Sequence, residues 1–577
     1  MAEDFMTCRG LTIRTLSAAA IVLCTGCEQS SPGTSAGQTQ PTSMTDGAGP
    51  PWFEEVAAAR GISFELVSGH AEKFLMPEIM CGGAALFDMD NDGDLDAYLV
   101  QGGSLTDSIQ PAPRNQLFRN EGDGTFTDVS NGSGADDPGY GMGVACGDID
   151  NDGDVDLYIT NVGPNVLLRN DGHGAFTDVT DAAHVGHPGW GASAAFFDSN
   201  KDGWLDLIVT NYLNWSIATE LDCYNNMGGP DYCSPQNYNA PAMDTLYRNN
   251  GDGTFTDITE PSGLGTRFGT GLGVACGDFD GNGWLDIFIA NDGMEDRLWL
   301  NQAGSFKDQA SSYQCAFDQE GKAKAGMGVT VADIDDDLDL DLLVCNLNGE
   351  SDSFFLNKSG RYFEDKTVIA GLGSVSRPLT RFGMGWIDFD NDTWLDLYQA
   401  NGRVMLQSVR YADDLYAEPN VLKRGVPNAI RFEEVKPRGG TKVLLSATSR
   451  AAAFGDVDND GGIDILIVNR DGPAHLLRNI APKRGHWIGF RVLNEHGGDA
   501  LNATISLQVG DRTVHRDVRA AYSYLASNDP RVHFGLGDQS RVDAITVQWP
   551  DGAKEQFGPF SGGDYHVIRR GSGAGVQ

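Results

Sequence analysis

The chain alternates short apolar runs with acidic, glycine-rich stretches in a fixed order. Around residue 150 a run of small residues, "GMGVACG" (141–147), leads into "DIDNDGDVD" (148–156). The apolar "LYIT" (157–160) follows, then "NVLLRN" (165–170), a glycine-rich turn and "FTDV" (176–179). Apolar runs this short, bounded by Gly, Asn and Asp, predict strands, and continuous ones suit strands covered on both faces. Helix-period stretches are scarce, and 74 glycines fit many tight turns. One repeat therefore predicts four strands.

The acidic stretch starts at Asp88, Asp148, Asp198, Asp278, Asp333, Asp388 and Asp456. With that Asp as position 1, position 3 is Asp90, Asp150, Asn200, Asp280, Asp335, Asp390 and Asp458. Position 5 is Asp92, Asp152, Asp202, Asn282, Asp337, Asp392 and Asp460. Position 9 is always Asp: Asp96, Asp156, Asp206, Asp286, Asp341, Asp396 and Asp464. Seven copies in register exclude chance and make the repeat the main organising signal.

Like charges this close repel, and alternating carboxylates round a tight turn can wrap a hard cation. Calcium accepts 6–8 oxygens in irregular geometry, whereas magnesium wants a stricter octahedron, so up to seven structural Ca2+ ions are expected. The stretch opens like an EF-hand loop, but an EF-hand closes with a bidentate Glu at position 12. Position 12 here is Leu99, Ile159, Val209, Ile289, Val344, Gln399 and Ile467, so the ninth-position Asp must close the site. Gly fills position 6 in five loops, while Leu338 and Thr393 replace it in loops five and six. A β-branched residue at positive φ is costly. Loop six is expected to bind weakest or to adopt a different turn.

Four-stranded units repeated radially form a β-propeller. The expected fold is all-β, a seven-bladed propeller followed by a small all-β C-terminal domain. The last strand of each unit starts near Phe126, Phe176, Phe255, Phe306, Phe363 and Phe432, one short of seven. The missing copy, "FEEV" (53–56), precedes the first loop, so an N-terminal strand is expected to close blade seven. These repeats resemble the FG-GAP-like (VCBS) repeats of bacterial surface proteins and the calcium-loop blades of integrin α-subunit propellers. Phe-Gly stands at Phe268-Gly269, Phe382-Gly383 and Phe454-Gly455. The tail, with "HWIGF" at His486, "SNDPRVHFGLGD" from Ser527 and "VDAITVQWPDG" from Val542, resembles the ASPIC/UnbV domain that follows such propellers, as in cartilage acidic proteins. The resemblance implies an extracellular or envelope location and bound calcium. Read directly, the tail's alternating "TISLQV" and "AITVQW" predict a small β domain, either a partner module or a cap on the propeller.

The expected organisation is a lipoprotein-type signal at 1–27, a flexible tether at 28–50, the propeller at 51–482 and the tail domain at 485–570. In the signal, Arg9 and Arg14 precede an apolar run (16–23) too short to span a bilayer. Cys27 is the expected lipidation site, an ordinary signal peptide being the alternative, and a lipid anchor would be the only link to a membrane. In an exported protein Cys223 and Cys233, flanking "YNNMGGPDY", are expected to form a disulfide, whereas Cys146 and Cys276 read as small buried residues. With 41 basic against 81 acidic residues, the chain lacks the basic surface that nonspecific nucleic-acid binding needs.

The face opposite the metal loops should carry the variable loops, with insertions at about 102–114, 211–243 and 401–419. Five residues after the closing Asp comes an amide ring: Gln101, Asn161, Asn211, Asn291, Asn346, Asn401 and Asn469. Such amides usually satisfy local turns, though a ring could bind polar ligands. Tyr140, Trp190, Arg267, Phe268, Arg381 and Arg450 precede the inner strands and are candidates for a ligand face gripping sugars or carboxylates, or else they pack the channel mouth. HExxH and GxSxG signatures are absent. The expected function is a calcium-stabilised binding or adhesion protein of the cell envelope, not an enzyme, recognising a protein or polysaccharide. The alternatives are an envelope polysaccharide lyase or hydrolase, or a scaffold subunit of a surface complex.

Overall fold

The computed structural model describes residues 49–106 and 109–576. Cys27 and the tether up to residue 48 lie outside the described residues. Among these residues no helix is long and apolar enough to cross a membrane.

Each repeat folds into one antiparallel sheet. The first sheet orders Ala84–Phe87, Asp96–Leu99, Gln116–Asn120 and Phe126–Asp128 from inside to outside. The next orders Gly141–Gly147, Asp156–Asn161, Val166–Asn170 and Phe176–Asp178. Five more sheets repeat that order, their inner strands being Gly191–Phe197, Gly271–Gly277, Val329–Ala332, Arg381–Ile387 and Ser449–Gly455. Each inner strand packs on the inner strands of the sheets before and after it, and the seventh packs on the first. The sheets thus close a ring, the arrangement of a β-propeller. Small residues make the crowding at the centre possible. At Gly83, Gly143 and Gly328 an added Cβ would lie within 2.8 Å of a neighbouring blade's backbone.

The seventh sheet takes its outermost strand from the other end of the chain. Phe53–Glu55 pairs antiparallel with His475–Asn479, Phe53 opposite Asn479. Phe53 is 1% exposed, and its ring meets Phe389 of blade six at 5.1 Å and Tyr398 at 5.9 Å. Closure therefore joins distant chain segments through both backbone pairing and aromatic burial.

The tail forms two larger sheets and a two-stranded one, Arg541–Val542 with Phe560–Ser561. His486–Leu493 lies between Val532–Gly537 and Tyr565–Arg569. A five-stranded sheet runs Arg512–Asp517, Thr504–Val509, Ile545–Gln548, Lys554–Phe557 and Ala574–Gly575, so the fold continues past residue 570. This domain sits on the metal-loop face and shares a core with blades two and three, where Ile505 and Phe490 cluster with Ala145 and Phe196.

One segment of the tail domain, near 521–528, enters the propeller channel. Ser523 exchanges backbone hydrogen bonds with Val329 of blade five, at 2.7 and 3.0 Å. Its hydroxyl donates to the Ala452 carbonyl of blade seven and accepts from the Met384 amide of blade six. The Tyr524 hydroxyl donates to the Met80 carbonyl at 2.9 Å, and the Leu525 amide donates to Ser193 Oγ of blade three. Ala526–Ser527 runs parallel to the first inner strand. The exposed backbone edges at the ring's centre are thereby satisfied by the chain's own tail.

Phe53→Ala is expected to cost about 3–5 kcal/mol, the usual price of truncating a buried Phe. Urea denaturation of the metal-loaded chain reads it. A cost within error of zero would mean that the N-terminal strand does not hold the ring shut.

Candidate metal centre

Each acidic loop joins the inner strand to the second strand, and its hydrogen bonds follow one scheme. Oδ2 of the position-1 Asp accepts the amide of position 6 in all seven loops, from 2.8 Å at Asp456 to 3.2 Å at Asp88. Oδ1 of position 5 accepts the amide of position 7. Positions 4 and 6 take positive φ throughout. Leu338 and Thr393 do so as well, at 77° and 83°. Thr393 therefore does not give loop six a different turn, because its amide keeps the bond to Asp388 Oδ2 at 2.8 Å.

The ninth-position Asp is buried at the start of the second strand and accepts two backbone amides. Asp96 takes those of Met89 (2.9 Å) and Asn120 (2.8 Å), and Asp464 takes those of Val457 (3.0 Å) and Asn479 (2.7 Å). In the triads Asp88–Asp90–Asp96, Asp148–Asp150–Asp156, Asp278–Asp280–Asp286, Asp333–Asp335–Asp341 and Asp388–Asp390–Asp396, one oxygen from each residue lies within 4.8 Å of the others. Positions 1, 3 and 9 are thus brought together. Position 5 is outside these triads, its Oδ1 being held by the turn.

Burial and mutual repulsion push these carboxylates towards the protonated form. Burial raises Asp96 and Asp286 to about 8, and Asp148, Asp206 and Asp456 to about 7. Asp156, Asp341, Asp388, Asp396 and Asp464 are raised well above the ordinary carboxylate value, again mainly by burial, with neighbouring aspartates adding to it. Oδ1 of Asp90, Asp150, Asp335, Asp390 and Asp458 is buried and accepts no hydrogen bond. An orphaned, buried acceptor within a carboxylate triad fits a hard divalent cation. Positions 1, 3 and 9 would hold the ion, which would supply positive charge where burial alone leaves none.

A second recurring device of the loops was not read from the sequence. In six blades an Asn at or next to the end of the third strand donates its side-chain amide to the position-2 carbonyl of the preceding blade's loop. Asn120 reaches Val457, Asn170 Met89, Asn249 Ile149, Asn301 Ser199, Asn357 Phe279 and Asn479 Phe389, at 2.7–2.9 Å. Blade six has Gly425 at this place. The repeated "RN" was the only signal, and its partner lies one blade away.

The candidate ligand face is corrected. Tyr140, Trp190, Arg381 and Arg450 are buried. The Tyr140 hydroxyl donates to the Ser68 carbonyl, and Trp190 packs edge-on against Tyr212 at 4.9 Å. Arg381 pairs with buried Asp352 at 2.8 Å. Arg450 donates to the carbonyls of Ile79, Gly402 and Arg403 and lies 4.1 Å over Phe382, whose ring meets Tyr524 of the tail. These side chains pack the channel, which the tail segment fills. Arg267 and Phe268 remain exposed, with Arg267 Nε 3.7 Å from Asp308. The amide ring serves local turns: Asn161, Asn211, Asn291, Asn346, Asn401 and Asn469 each donate to a nearby carbonyl, and Gln101 donates to Glu65.

The insertion at 211–243 contains the Cys223–Cys233 disulfide, with an S–S distance of 2.04 Å. It meets the blade-six insertion across the channel mouth, Asp231 accepting from the Leu406 amide and the Tyr416 hydroxyl, both at 2.7 Å.

The FG-GAP-like repeat model matches residues 88–159, 148–209, 224–289 and 278–344, and the ASPIC and UnbV model matches 494–575. The chain carries FG-GAP-like repeats and an ASPIC and UnbV domain. It is 24% identical over 345 residues to cartilage acidic protein 1 of Xenopus tropicalis and 23% identical to that of Homo sapiens. Those matches cover 58% of this chain and about two fifths of each relative (40% and 39%). Among solved structures, it is similar to an Agrocybe aegerita lectin that recognises non-reducing terminal N-acetylglucosamine (16% identity, TM-score 0.36, 68% of this chain and 86% of that one). It is also similar to rhamnogalacturonan lyase YesW (14% identity, TM-score 0.37, 69% and 71%).

For an FG-GAP-like repeat with these raised carboxylates, pH and metal are linked. The unfolded Asp titrates near 3.9. Between about pH 4 and about pH 8 the metal-free folded chain holds protons that the unfolded chain has released, so its stability falls as pH rises. A bound dication keeps the same carboxylates ionised and removes that loss. At a Kd near ~10⁻⁴ M and ~1 mM free metal, each site adds roughly 1.4 kcal/mol. Tm measured in calcium chloride and in chelator is therefore expected to differ, and the gap to widen from about pH 5 to about pH 8. Coincident melting curves across that range would refute metal binding at the triads.

Proposed function

We propose that this is a calcium-stabilised, extracytoplasmic binding protein that recognises a protein or polysaccharide through the propeller face opposite the calcium loops. The observation that carries the reading is the placement of the tail. It occupies the loop face and fills the channel with residues near 521–528, leaving the opposite face for a partner. Calcium is the ion the loops suit, because oxygen ligands on a flexible turn meet its irregular coordination. Export agrees with a disulfide at Cys223–Cys233, and lipidation of Cys27 would hold the chain at the envelope.

The opposite face has the chemistry of a recognition surface. Large apolar side chains stand out on its insertions: Tyr224 is 68% exposed, Met227 62%, Val409 55% and Ile217 46%. Phe268 on the same face is 51% exposed. Exposed aromatic and Met side chains on an ordered surface are typical anchors of interfaces. Order comes from the disulfide, from Asp231 bridging the two insertions, and from Glu220, which accepts the Met76 amide at 2.9 Å. Binding rather than turnover fits the burial of Arg381 and Arg450, which use their donors on the protein itself.

A screen of glycans and surface proteins with calcium present tests the reading. The double variant Tyr224→Ser, Met227→Ser is expected to weaken any ligand found by at least about tenfold, or ~1.4 kcal/mol, without moving Tm. A ligand held equally well by the variant would place recognition elsewhere, and degradation of a glycan in the same screen would favour an enzyme.

A further inference from the structure

The seven loops are of two kinds, and two observations divide them in the same way. In loops one, two, five, six and seven, positions 1, 3, 5 and 9 are all Asp, whereas loop three has Asn200 and loop four has Asn282. The orphaned position-3 oxygens, on Asp90, Asp150, Asp335, Asp390 and Asp458, belong to those same five loops. In the other two the amide already satisfies a carboxylate: Asn200 Nδ2 donates to Asp202 Oδ2 at 2.9 Å, and Asn282 Nδ2 donates to Asp280 Oδ2 at 3.0 Å.

The tail domain bonds to loops one, five, six and seven, and packs on loop two and on Leu205 of loop three. Arg491 pairs with Asp88 in loop one at 2.7 Å. Gly498 lies so close to loop two that a Cβ there would stand 2.2 Å from Asp148 Oδ2. Arg512 pairs with Asp336 in loop five at 2.6 Å, and the Gly537 amide donates to the Asn391 carbonyl in loop six at 3.0 Å. The Tyr565 hydroxyl donates to Asp456 Oδ2 in loop seven at 3.1 Å. Among the described residues no hydrogen bond or ion pair joins 485–576 to 198–206 or 278–286. Loops three and four lean on each other instead, Lys201 Nζ lying 4.7 Å over the Trp284 ring.

Charge explains the division. Counted over positions 1, 3, 5 and 9 alone, a dication leaves −4 + 2 = −2 in the loops with four Asp there and −3 + 2 = −1 in loops three and four; Asp94, Asp154, Asp336 and Asp339 add further negative charge to loops one, two and five. Ligand charge count and site rigidity set calcium affinity over orders of magnitude. Loops three and four have one carboxylate fewer in the turn, no hydrogen bond or ion pair from the tail, and a side-chain amide that already occupies a turn carboxylate. We propose that loops three and four are a pair of exchangeable calcium sites that follow the surrounding calcium concentration, while the other five hold their ions tightly. The proposal rests on the calcium reading above.

The purified chain is dialysed against calcium to count bound ions, then mixed with excess fluorescent chelator in a stopped-flow instrument. Two ions are expected to leave at least about tenfold faster than the rest. The double variant Asn200→Asp, Asn282→Asp should slow that fast pair and leave the slow phase unchanged, with circular dichroism checking its fold. Release of all ions in one phase overturns the proposal, as does a fast phase that the double variant does not alter. Dialysis showing no bound calcium would instead overturn the calcium reading itself, so the two failures are told apart.

Discussion

The structure depends on holding carboxylates together that would rather be apart. Each triad sits where the inner and second strands of a blade diverge, and burial makes every charge there costly. The protein does not scatter the cost. It fixes both oxygens of position 1 in six loops and both oxygens of position 9 with backbone amides, and leaves a position-3 oxygen of five loops without a donor. What remains is a small region of negative charge with fixed geometry, which is what a hard cation needs. The ninth-position Asp starts the second strand and accepts an amide at the end of the third, so the carboxylate triad and strand registry share atoms.

That sharing extends between blades. The third-strand Asn whose backbone amide binds the ninth-position Asp also sends its side chain to the preceding loop. A cation that orders one loop therefore orders the clasp to the next blade. The ring is closed by three further devices that are independent of metal: the Phe53 strand, the close approach of inner-strand glycines, and the tail segment in the channel. The tail is better described as the propeller's missing centre than as a separate module.

Much of this was legible in the residues. The four-strand repeat follows from apolar runs and turn residues, and the closing strand follows from counting "FTDV"-type segments and finding one of them ahead of the first loop. Positions 1, 3 and 9 follow from spacing. Other features were hidden for physical reasons. The Asn clasp pairs residues as far apart as Asn120 and Val457, and nothing local marks the acceptor. The channel segment, "AYSYLASN", mixes polar and apolar positions because it contacts several blades at once, so it shows no strand period. Arg381 and Arg450 left two readings open in the sequence, a ligand face or packing of the channel mouth, since arginine is rarely buried. Here a carboxylate and several backbone carbonyls satisfy their guanidinium groups inside the ring.

The two loops without glycine show how such strain is carried. A non-Gly residue at positive φ persists only where its surroundings over-determine it. Leu338 and Thr393 occur in adjacent blades, and one side chain of the tail serves both. Arg512 donates to Asp336 of loop five at 2.7 Å and to Thr393 Oγ1 of loop six at 2.9 Å, with its guanidinium 3.4 Å over the Trp394 ring. Glycine at position 393 would relieve the backbone and remove the acceptor. The threonine is therefore explained by docking rather than by the turn: the loop accepts a local backbone cost, and the interface with the tail offsets it. The same logic joins the two halves of the molecule, because the face that carries the carboxylate triads is also the face that the tail's arginines cover.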